Sequence, residues 1–128
     1  MVKPKFVKEI QRSGRTIKTF KTEVLNSSIC SRSSIKKAKE ILEGVVERGT
    51  AITLSKSAYK IAGKTGTAEL RDKPAHAWFV GFAPYGARAR KIAFAVLIEN
   101  GRYGGRVAAP AAADIADAAA ELGLIQGE

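Results

Sequence analysis

Four adjacent residues near the middle of this 128-residue chain, Lys64-Thr65-Gly66-Thr67, are of types that bind anions. If they form a β-strand, side chains alternate between its faces, and the Thr65 and Thr67 hydroxyls lie about 7 Å apart on one face. Two hydroxyls at that spacing can bind one carboxylate. Gly66 has no Cβ, which allows a ligand or another backbone segment to approach the strand closely. The segment therefore predicts an anion-binding strand.

Two further groups of the same segment suit a substrate that develops negative charge. The backbone N–H of Thr67 is free to point at a substrate oxygen, which is the geometry that an oxyanion hole requires. Lys64 brings a positive charge that attracts an anionic substrate terminus. Taken alone, however, the triplet is also consistent with an ordinary edge strand that carries a surface lysine, so the surrounding sequence has to decide.

Three segments around this motif are rich in β-branched, aromatic and small residues, which favour strands. Asp72-Lys73-Pro74 and Pro84-Tyr85-Gly86 separate them, and connections this short imply antiparallel pairing. The sequence therefore predicts a three-stranded antiparallel sheet with strands at residues 59–68, 77–83 and 91–98.

Helices and a hairpin are predicted on both sides of the sheet. Residues 34–48 carry apolar side chains at helical spacing, and Gly49 is expected to end that helix. Residues 6–10 and 15–20 flank a Ser13-Gly14 turn, which indicates a hairpin. The helix also places two ion pairs four residues apart, Lys36 with Glu40 and Lys39 with Glu43.

A second helix is predicted at residues 107–122. Its expected buried face consists of Val107, Ala111, Ile115, Ala118 and Leu122. The acidic residues Asp114, Asp117 and Glu121 lie on the solvent side, and Gly123 ends the helix. A helix with such small side chains can lie close against a sheet, so the fold class is predicted to be α+β.

Composition excludes several classes of protein. Hydrophobic residues make up 45% and charged residues 27% of the chain, as in ordinary globular proteins. No run reaches the roughly 18 apolar residues of a membrane helix, and no signal-peptide core follows Met1. Cys30 cannot form an internal disulfide and lacks the basic partner of a catalytic thiol. His76 and Trp78 are interpreted as packing and strand-end residues, so no metal or cofactor is expected.

The net charge of +10 is concentrated towards the N-terminus. Residues 1–50 contain 12 Lys or Arg against 5 Asp or Glu, whereas residues 74–128 contain 5 of each. The cations are spread along the chain rather than grouped with aromatic residues, which favours a solvated face over a nucleic-acid site. A small basic module that binds nucleic acid or an anionic cell-wall polymer is the alternative, and its binding would weaken steeply with salt.

Further motifs stand in a characteristic order around Lys64-Thr65-Gly66-Thr67. They are Gly49-Thr50-Ala51, the runs 62–69 and 77–84, Glu99-Asn100-Gly101 and Ala108-Ala109-Pro110. Lys-Thr-Gly is itself a signature of penicillin-recognising enzymes. Over nearly its whole length the chain resembles class B penicillin-binding proteins, the D,D-transpeptidases of cell division and elongation.

The resemblance implies a transpeptidase/β-lactamase-like fold and a serine acyl-enzyme mechanism on peptidoglycan stem peptides, with β-lactams as mimics of D-Ala-D-Ala. By resemblance, Lys64 and Thr67 would be catalytic, as part of a proton-transfer network and as an oxyanion donor. Thr65, Gly66, Thr67 and Ala68 would bind the substrate. The resemblance also implies a position on the extracytoplasmic face of the bacterial cytoplasmic membrane, and no cofactor.

The nucleophile motif of that family, Ser-x-x-Lys, is expected far upstream of Lys64. The matches here begin at Ser33 and Ser34, only about 30 residues before Lys64, where a serine is expected to cap a helix. No Ser-x-Asn motif occurs in the chain. The chain is therefore expected to be a C-terminal segment of a transpeptidase domain that is inactive alone, although a non-catalytic relic of the fold has the same pattern.

Two expectations follow for organisation and partners. Residues 1–30 are expected to form the hairpin and a connection, and residues 31–128 the sheet and helices. The main partner is expected to be the N-terminal part of the same domain. Apolar surface that this part would cover is also expected to promote self-association. No nucleic acid is expected as a partner.

Overall fold

A computed structural model of the chain describes residues 1–86 and 90–126. The chain divides into two compact units, Met1–Ile35 and Lys36–Glu128. The first contains a β-hairpin, and the second contains a three-stranded antiparallel sheet with helices. This α+β architecture confirms the predicted fold class.

The hairpin of the first unit is formed by β1 (Glu9–Arg12) and β2 (Arg15–Thr19), which pair antiparallel. Ser13 and Gly14 form the turn with positive φ values of 50° and 75°. Positive φ at both central residues is typical of the two-residue turns that match strand twist. The predicted hairpin is thus confirmed, and none of residues 1–35 is buried.

Helix α1 (Arg32–Arg48) begins two residues before the predicted start. Ser31 is its N-cap, because its Oγ accepts a hydrogen bond from the Ser34 N–H at 3.1 Å. The expectation that Ser33 or Ser34 caps the helix is therefore wrong, because the capping serine lies two to three residues earlier. The hydroxyls of both residues instead lie 2.8 Å from Ser31 Oγ.

The sheet of the second unit has the strand order β3 (Ala62–Leu70), β4 (Lys73–Ala83) and β5 (Ile92–Ile98). Both neighbouring pairs are antiparallel, as predicted. The first strand ends two residues later and the second begins four residues earlier than predicted, because Asp72 adopts a φ of 59° and closes a tight turn between Leu70 and Lys73. Within the described residues β3 is an edge strand.

One face of this sheet forms the core. Phe79 is fully buried and stacks on Phe94 at a ring distance of 6.2 Å. Glycines on the two strands leave room for the Phe79 ring: a Cβ at Gly63 would lie 2.8 Å, and one at Gly81 2.7 Å, from its Cε1. Substitution at either glycine would therefore displace the central core residue.

Helix α2 (Ala109–Glu121) follows a single π-helical turn at Gly104–Ala108. Its predicted buried face is wrong at three positions, because Val107, Ala118 and Leu122 are exposed. The other two predicted positions, Ala111 and Ile115, are partly buried and pack against the core. When most side chains are alanine, the contrast that would identify the buried face is lost. The face that is buried consists of Ala109, Ala112, Ala116 and Ala119.

After α2 the chain reverses at Gly123, whose φ is +67°. This confirms the predicted stop. The Leu124 N–H then donates to the Ala119 carbonyl at 2.8 Å, and Ile125, only 2% exposed, returns to the core.

Candidate functional site

Thr65 and Thr67 lie on the exposed edge of the sheet and line one cleft of about 600 Å³. They are paired with Phe79 and Ala77 of β4, so both point to the same face of the sheet. This is the arrangement that the sequence predicted for two carboxylate-binding hydroxyls. The other residues that line the cleft are Thr50, Ile52, Thr53, Tyr103, Gly104, Gly105 and Arg106.

The Thr65 hydroxyl is held in place from two sides. Its Oγ1 lies 2.7 Å from Thr50 Oγ1, in the connection that follows α1. The Lys64 ammonium donates to the Thr65 carbonyl oxygen at 2.6 Å and lies 3.4 Å from Thr65 Oγ1. A hydroxyl fixed in this way keeps a defined orientation, and the adjacent positive charge favours an anion over a neutral ligand.

Lys64 itself does not line this cleft, although its ammonium reaches the neighbouring Thr65. Gly66 and Ala68 alternate to the opposite face of β3, where they pair with Trp78 and His76. The five positions predicted as a site thus comprise one hydroxyl pair that lines the cleft, a cation beside it, and two residues that contribute backbone only.

A glycine pair gives the cleft its floor. A Cβ at Gly104 would lie 2.6 Å from the Gly66 carbonyl oxygen, and one at Gly105 would meet the Thr50 carbonyl oxygen. Only glycine allows these backbones to approach so closely. The sequence predicted that a ligand or another backbone segment approaches Gly66 closely. In the structure, the backbone of Gly104 makes this approach.

Tyr103 and Arg106 were not among the predicted site residues. Tyr103 is 62% exposed, and the Arg106 guanidinium lies 5.6 Å from its ring centroid, within cation–π range. Together they form one wall of the cleft. The consecutive glycines at 104 and 105 were the available signal, because glycine pairs mark close backbone approach.

His76 and Trp78 are packing residues, as predicted, although both lie within β4 rather than at its start. His76 Nδ1 accepts a hydrogen bond from the Asn100 N–H at 3.0 Å, which ties two strand ends together. Phe79 is core, while Trp78 and Phe82 are partly buried. Within residues 1–86 and 90–126, no three His, Cys, Asp or Glu side chains cluster as metal ligands would.

A separate ion-pair network joins α1 to the start of β3. Lys60 Nζ lies 2.6 Å from Glu43 and 3.6 Å from Glu47. The hydrogen bond from Lys60 lowers the pKa of Glu43, and the same bond raises the pKa of Lys60. Burial, followed by the hydrogen bond to Glu43, raises the pKa of Tyr85. The predicted Lys36–Glu40 pair is present at 3.9 Å, but Glu43 pairs with Lys60 rather than Lys39.

A family model described as the penicillin binding protein transpeptidase domain matches residues 1–117. The chain belongs to this family. The resemblance found in the sequence is thereby confirmed. No helix in the described residues is long and apolar enough to cross a membrane.

Curated relatives and a solved structure agree with this assignment. The peptidoglycan D,D-transpeptidase PbpA of Mycobacterium tuberculosis is 46% identical over 78 residues, which is 54% of this chain and 14% of that protein. The peptidoglycan D,D-transpeptidase MrdA of Acinetobacter baumannii is 38% identical over 87 residues, which is 56% of this chain and 13% of that protein. This chain thus spans a small part of either relative.

The structural match is to the D,D-transpeptidase domain of a peptidoglycan glycosyltransferase from Eggerthella lenta. It has a TM-score of 0.62 and 30% sequence identity, and it covers 87% of this chain and 25% of that one. The α+β arrangement described above is therefore that of a transpeptidase domain.

Proposed function

We propose that this chain supplies the substrate-binding strand of a serine D,D-transpeptidase that cross-links peptidoglycan stem peptides and binds β-lactams. The observation that carries the proposal is the pair of hydroxyls on edge strand β3, Thr65 and Thr67, which line one cleft beside the Lys64 ammonium. Family membership favours this function over a basic module for nucleic acid or an anionic polymer.

In the proposed reaction, a serine hydroxyl attacks the carbonyl of the D-Ala-D-Ala bond, forms an ester and releases D-alanine. An amine of a neighbouring stem peptide then attacks the ester, forms the cross-linking amide and returns the proton to the serine. Thr65 and Thr67 bind the terminal carboxylate, and the Thr67 N–H stabilises the oxyanion. Lys64 takes part in the proton-transfer network, while Gly66 and Ala68 present backbone to the extended substrate.

The nucleophile of this reaction is proposed to lie outside the chain. Ser33 and Ser34 occupy the first turn of α1, with their hydroxyls directed at Ser31 Oγ. This arrangement is that of a helix start, where serine hydroxyls satisfy the first turn. The chain is therefore proposed to be the C-terminal segment of the domain, inactive alone and completed by an N-terminal part on the extracytoplasmic face of the membrane.

Peptide binding tests the strand directly. We expect an N-acetylated tripeptide ending in D-Ala-D-Ala to shift the amide resonances of β3 in an NMR titration, and the same peptide with a C-terminal amide to bind more weakly. Thr65→Val should weaken binding about tenfold, because it removes a hydrogen bond to a charged group. Thr22→Val, an exposed position in the hairpin unit, is the matched control. Equal binding of acid and amide would contradict the proposal.

Labelling with a fluorescent penicillin tests the location of the nucleophile. The isolated chain should show no covalent band. A band that disappears in Ser33→Ala or Ser34→Ala would place the nucleophile inside the chain and overturn this part of the proposal.

Self-association is proposed through the sheet face opposite the core. Val80 and Leu97 lie on that face and are 48% and 43% exposed. Exposed apolar faces of this kind promote association or exchange of elements between copies. Light scattering should detect species larger than a monomer at high concentration, and Val80→Lys combined with Leu97→Lys should reduce them. A monomer at every concentration would contradict this proposal.

A further inference from the structure

A separate cleft of about 270 Å³, here called the basic cleft, lies between the first half of α1 and the end of β4. Helix α1 contributes Lys36, Lys39 and Glu40 to its lining, and β4 contributes Phe82. Among the described residues, none lines both the basic cleft and the cleft that contains the two threonines of β3. The two clefts are therefore distinct sites.

The basic cleft differs from the threonine cleft in both position and direction. Phe82 follows Phe79, the partner of Thr65, by three residues along β4, which corresponds to about 10 Å. Because side chains alternate along a strand, Phe82 also points to the opposite face of the sheet from Phe79. A ligand in the basic cleft would thus leave the threonine cleft open.

Two aromatic rings form the apolar wall of the basic cleft. The ring centroids of Phe82 and Tyr85 lie 6.1 Å apart with the rings tilted by 43°, and both side chains are partly buried. Tyr85 is held from behind by Lys60, whose ammonium lies 5.5 Å from the ring centroid and whose carbonyl accepts the Tyr85 N–H at 2.6 Å. The wall is therefore formed before a ligand binds, which lowers the entropic cost of binding.

Three ammonium groups and one carboxylate surround these rings. Lys36 lies 3.9 Å from Glu40 and its side chain is 81% exposed, so this pair contributes little and can yield to a ligand. Lys39 has no ion-pair or hydrogen-bond partner within the described residues. The Lys91 ammonium donates to the Pro84 carbonyl at 2.8 Å, which holds it beside the turn after β4. The lining thus carries an excess of two positive charges.

We propose that the basic cleft binds an acidic segment of another protein, in which one aromatic residue is flanked by Asp or Glu. The aromatic side chain packs against Phe82 and Tyr85, since tilted ring pairs are favourable and buried aromatic residues are typical anchors of interfaces. The flanking carboxylates pair with Lys36 and Lys39, whose charges also steer the segment towards the cleft. A concave site with an aromatic wall fits an inserted side chain better than it fits a flat lipid surface.

Three pentapeptides, each acetylated and amidated, test this proposal on the intact 128-residue chain. Their sequences are Glu-Asp-Phe-Glu-Asp, the alanine form Glu-Asp-Ala-Glu-Asp and the neutral form Gln-Asn-Phe-Gln-Asn. In an NMR titration, the first should shift the amide resonances of residues 36–40 and 82–86. The other two should each bind about fivefold more weakly, through loss of an aromatic contact or of exposed ion pairs. Equal affinities for the phenylalanine and alanine forms would overturn the proposal.

Substitutions in α1 test the cations. Lys36→Gln combined with Lys39→Gln should weaken binding of the first peptide about fivefold, because two exposed ion pairs are lost. The matched control, Lys37→Gln combined with Lys56→Gln, removes two charges outside the lining and should change binding by less than about twofold, since solvent screens them. Equal losses in the two double variants would show that net charge alone attracts the peptide, which would contradict a specific cleft.

Two competition experiments separate this cleft from other sites. A tripeptide that ends in D-Ala-D-Ala should not displace the acidic peptide, because the two clefts share no lining residue. Displacement would place the acidic peptide in the threonine cleft and overturn the proposal. If vesicles of phosphatidylglycerol bound through Lys36 and Lys39 while no peptide bound, the cleft would be assigned to a membrane surface instead.

Discussion

The two units of the chain differ in how much side-chain surface they bury. In Met1–Ile35 no residue is buried, and even Phe6 is fully exposed. In Lys36–Glu128 the sheet, the end of α1 and helix α2 enclose a shared core around Phe79. The family match nevertheless includes both units. Membership in a family therefore does not require that each matched segment has a core of its own.

Isolated two-stranded hairpins are marginal in water. The hairpin unit owes its geometry to the Ser13-Gly14 turn and to strand pairing, whereas the sheet unit owes its geometry to burial. Substitutions in the core of the sheet unit should therefore cost more stability than substitutions at exposed positions of the hairpin unit.

The largest effect is expected from removal of the central core ring. Phe79→Ala should lower the free energy of unfolding by about 3–5 kcal/mol, because it creates a cavity in a fully buried site. Phe6→Ala is the matched control and should change it by less than about 0.5 kcal/mol. Urea denaturation measures both. A comparable loss in Phe6→Ala would show that the hairpin contributes to the core.

The next largest effect is expected at the cleft floor. Gly104→Ala should destabilise the sheet unit by about 1–3 kcal/mol, because its Cβ would lie 2.6 Å from the Gly66 carbonyl oxygen. Gly44→Ala should instead stabilise α1 by about 0.5–1 kcal/mol, since its Cβ would meet only the flexible Arg48 side chain. The unfolding midpoints of the two variants should move in opposite directions. Shifts of both midpoints in the same direction would contradict this account.

A smaller effect is expected where α1 begins. Ser31→Ala should cost about 1 kcal/mol of local helix stability through loss of the cap. Amide exchange in the first turn of α1 should accelerate, while the midpoint of global unfolding stays unchanged. Ser27→Ala, an exposed serine outside the helix, is the control. An equal loss in global stability would place the start of α1 in the same cooperative unit as the core.

The smallest effect is expected from the Lys60–Glu43 pair, in which Lys60 is exposed and Glu43 is partly buried. Because the pKa of Glu43 is lowered by folding, its contribution to stability is present above the ordinary value of 4.5 and is lost as pH falls through the lowered value. Lys60→Met should therefore reduce the melting temperature slightly at pH 7, and the difference from the native chain should shrink in acid. Lys56→Met is the control. If the difference in melting temperature between Lys60→Met and the native chain did not change with pH, the Lys60–Glu43 pair would not contribute as described.

The strands, the hairpin and the end of α1 could be predicted because local residues determine them. Gly14 and Asp72 close tight turns with positive φ, and alternating side chains identify the faces of β3 and β4. Thr65 and Thr67 could be placed on one face for the same reason. Local periodicity is sufficient wherever polar and apolar residues differ clearly along the chain.

The errors of prediction occur where the deciding contact is distant or the contrast is weak. Glu43 pairs with Lys60, 17 residues away, which no helical spacing reveals. The alanines of α2 are nearly equivalent to one another, so the buried face could not be assigned. Tyr103 and Arg106 reach the cleft only because Gly104 packs on β3, and that approach depends on tertiary structure.

The return of Ile125 to the core has a consequence for the rotation of α2 about its axis. The fully buried positions of α2 are all alanines, and the one larger side chain that the helix packs against the core, Ile115, is only partly buried. Ile125, which folds back after Gly123, supplies a bulky contact at one end of the helix, while Gly104 is fixed against β3 just before the other. The segments on either side of α2 thus add the contacts that help to fix the orientation of a helix whose fully buried side chains are all small.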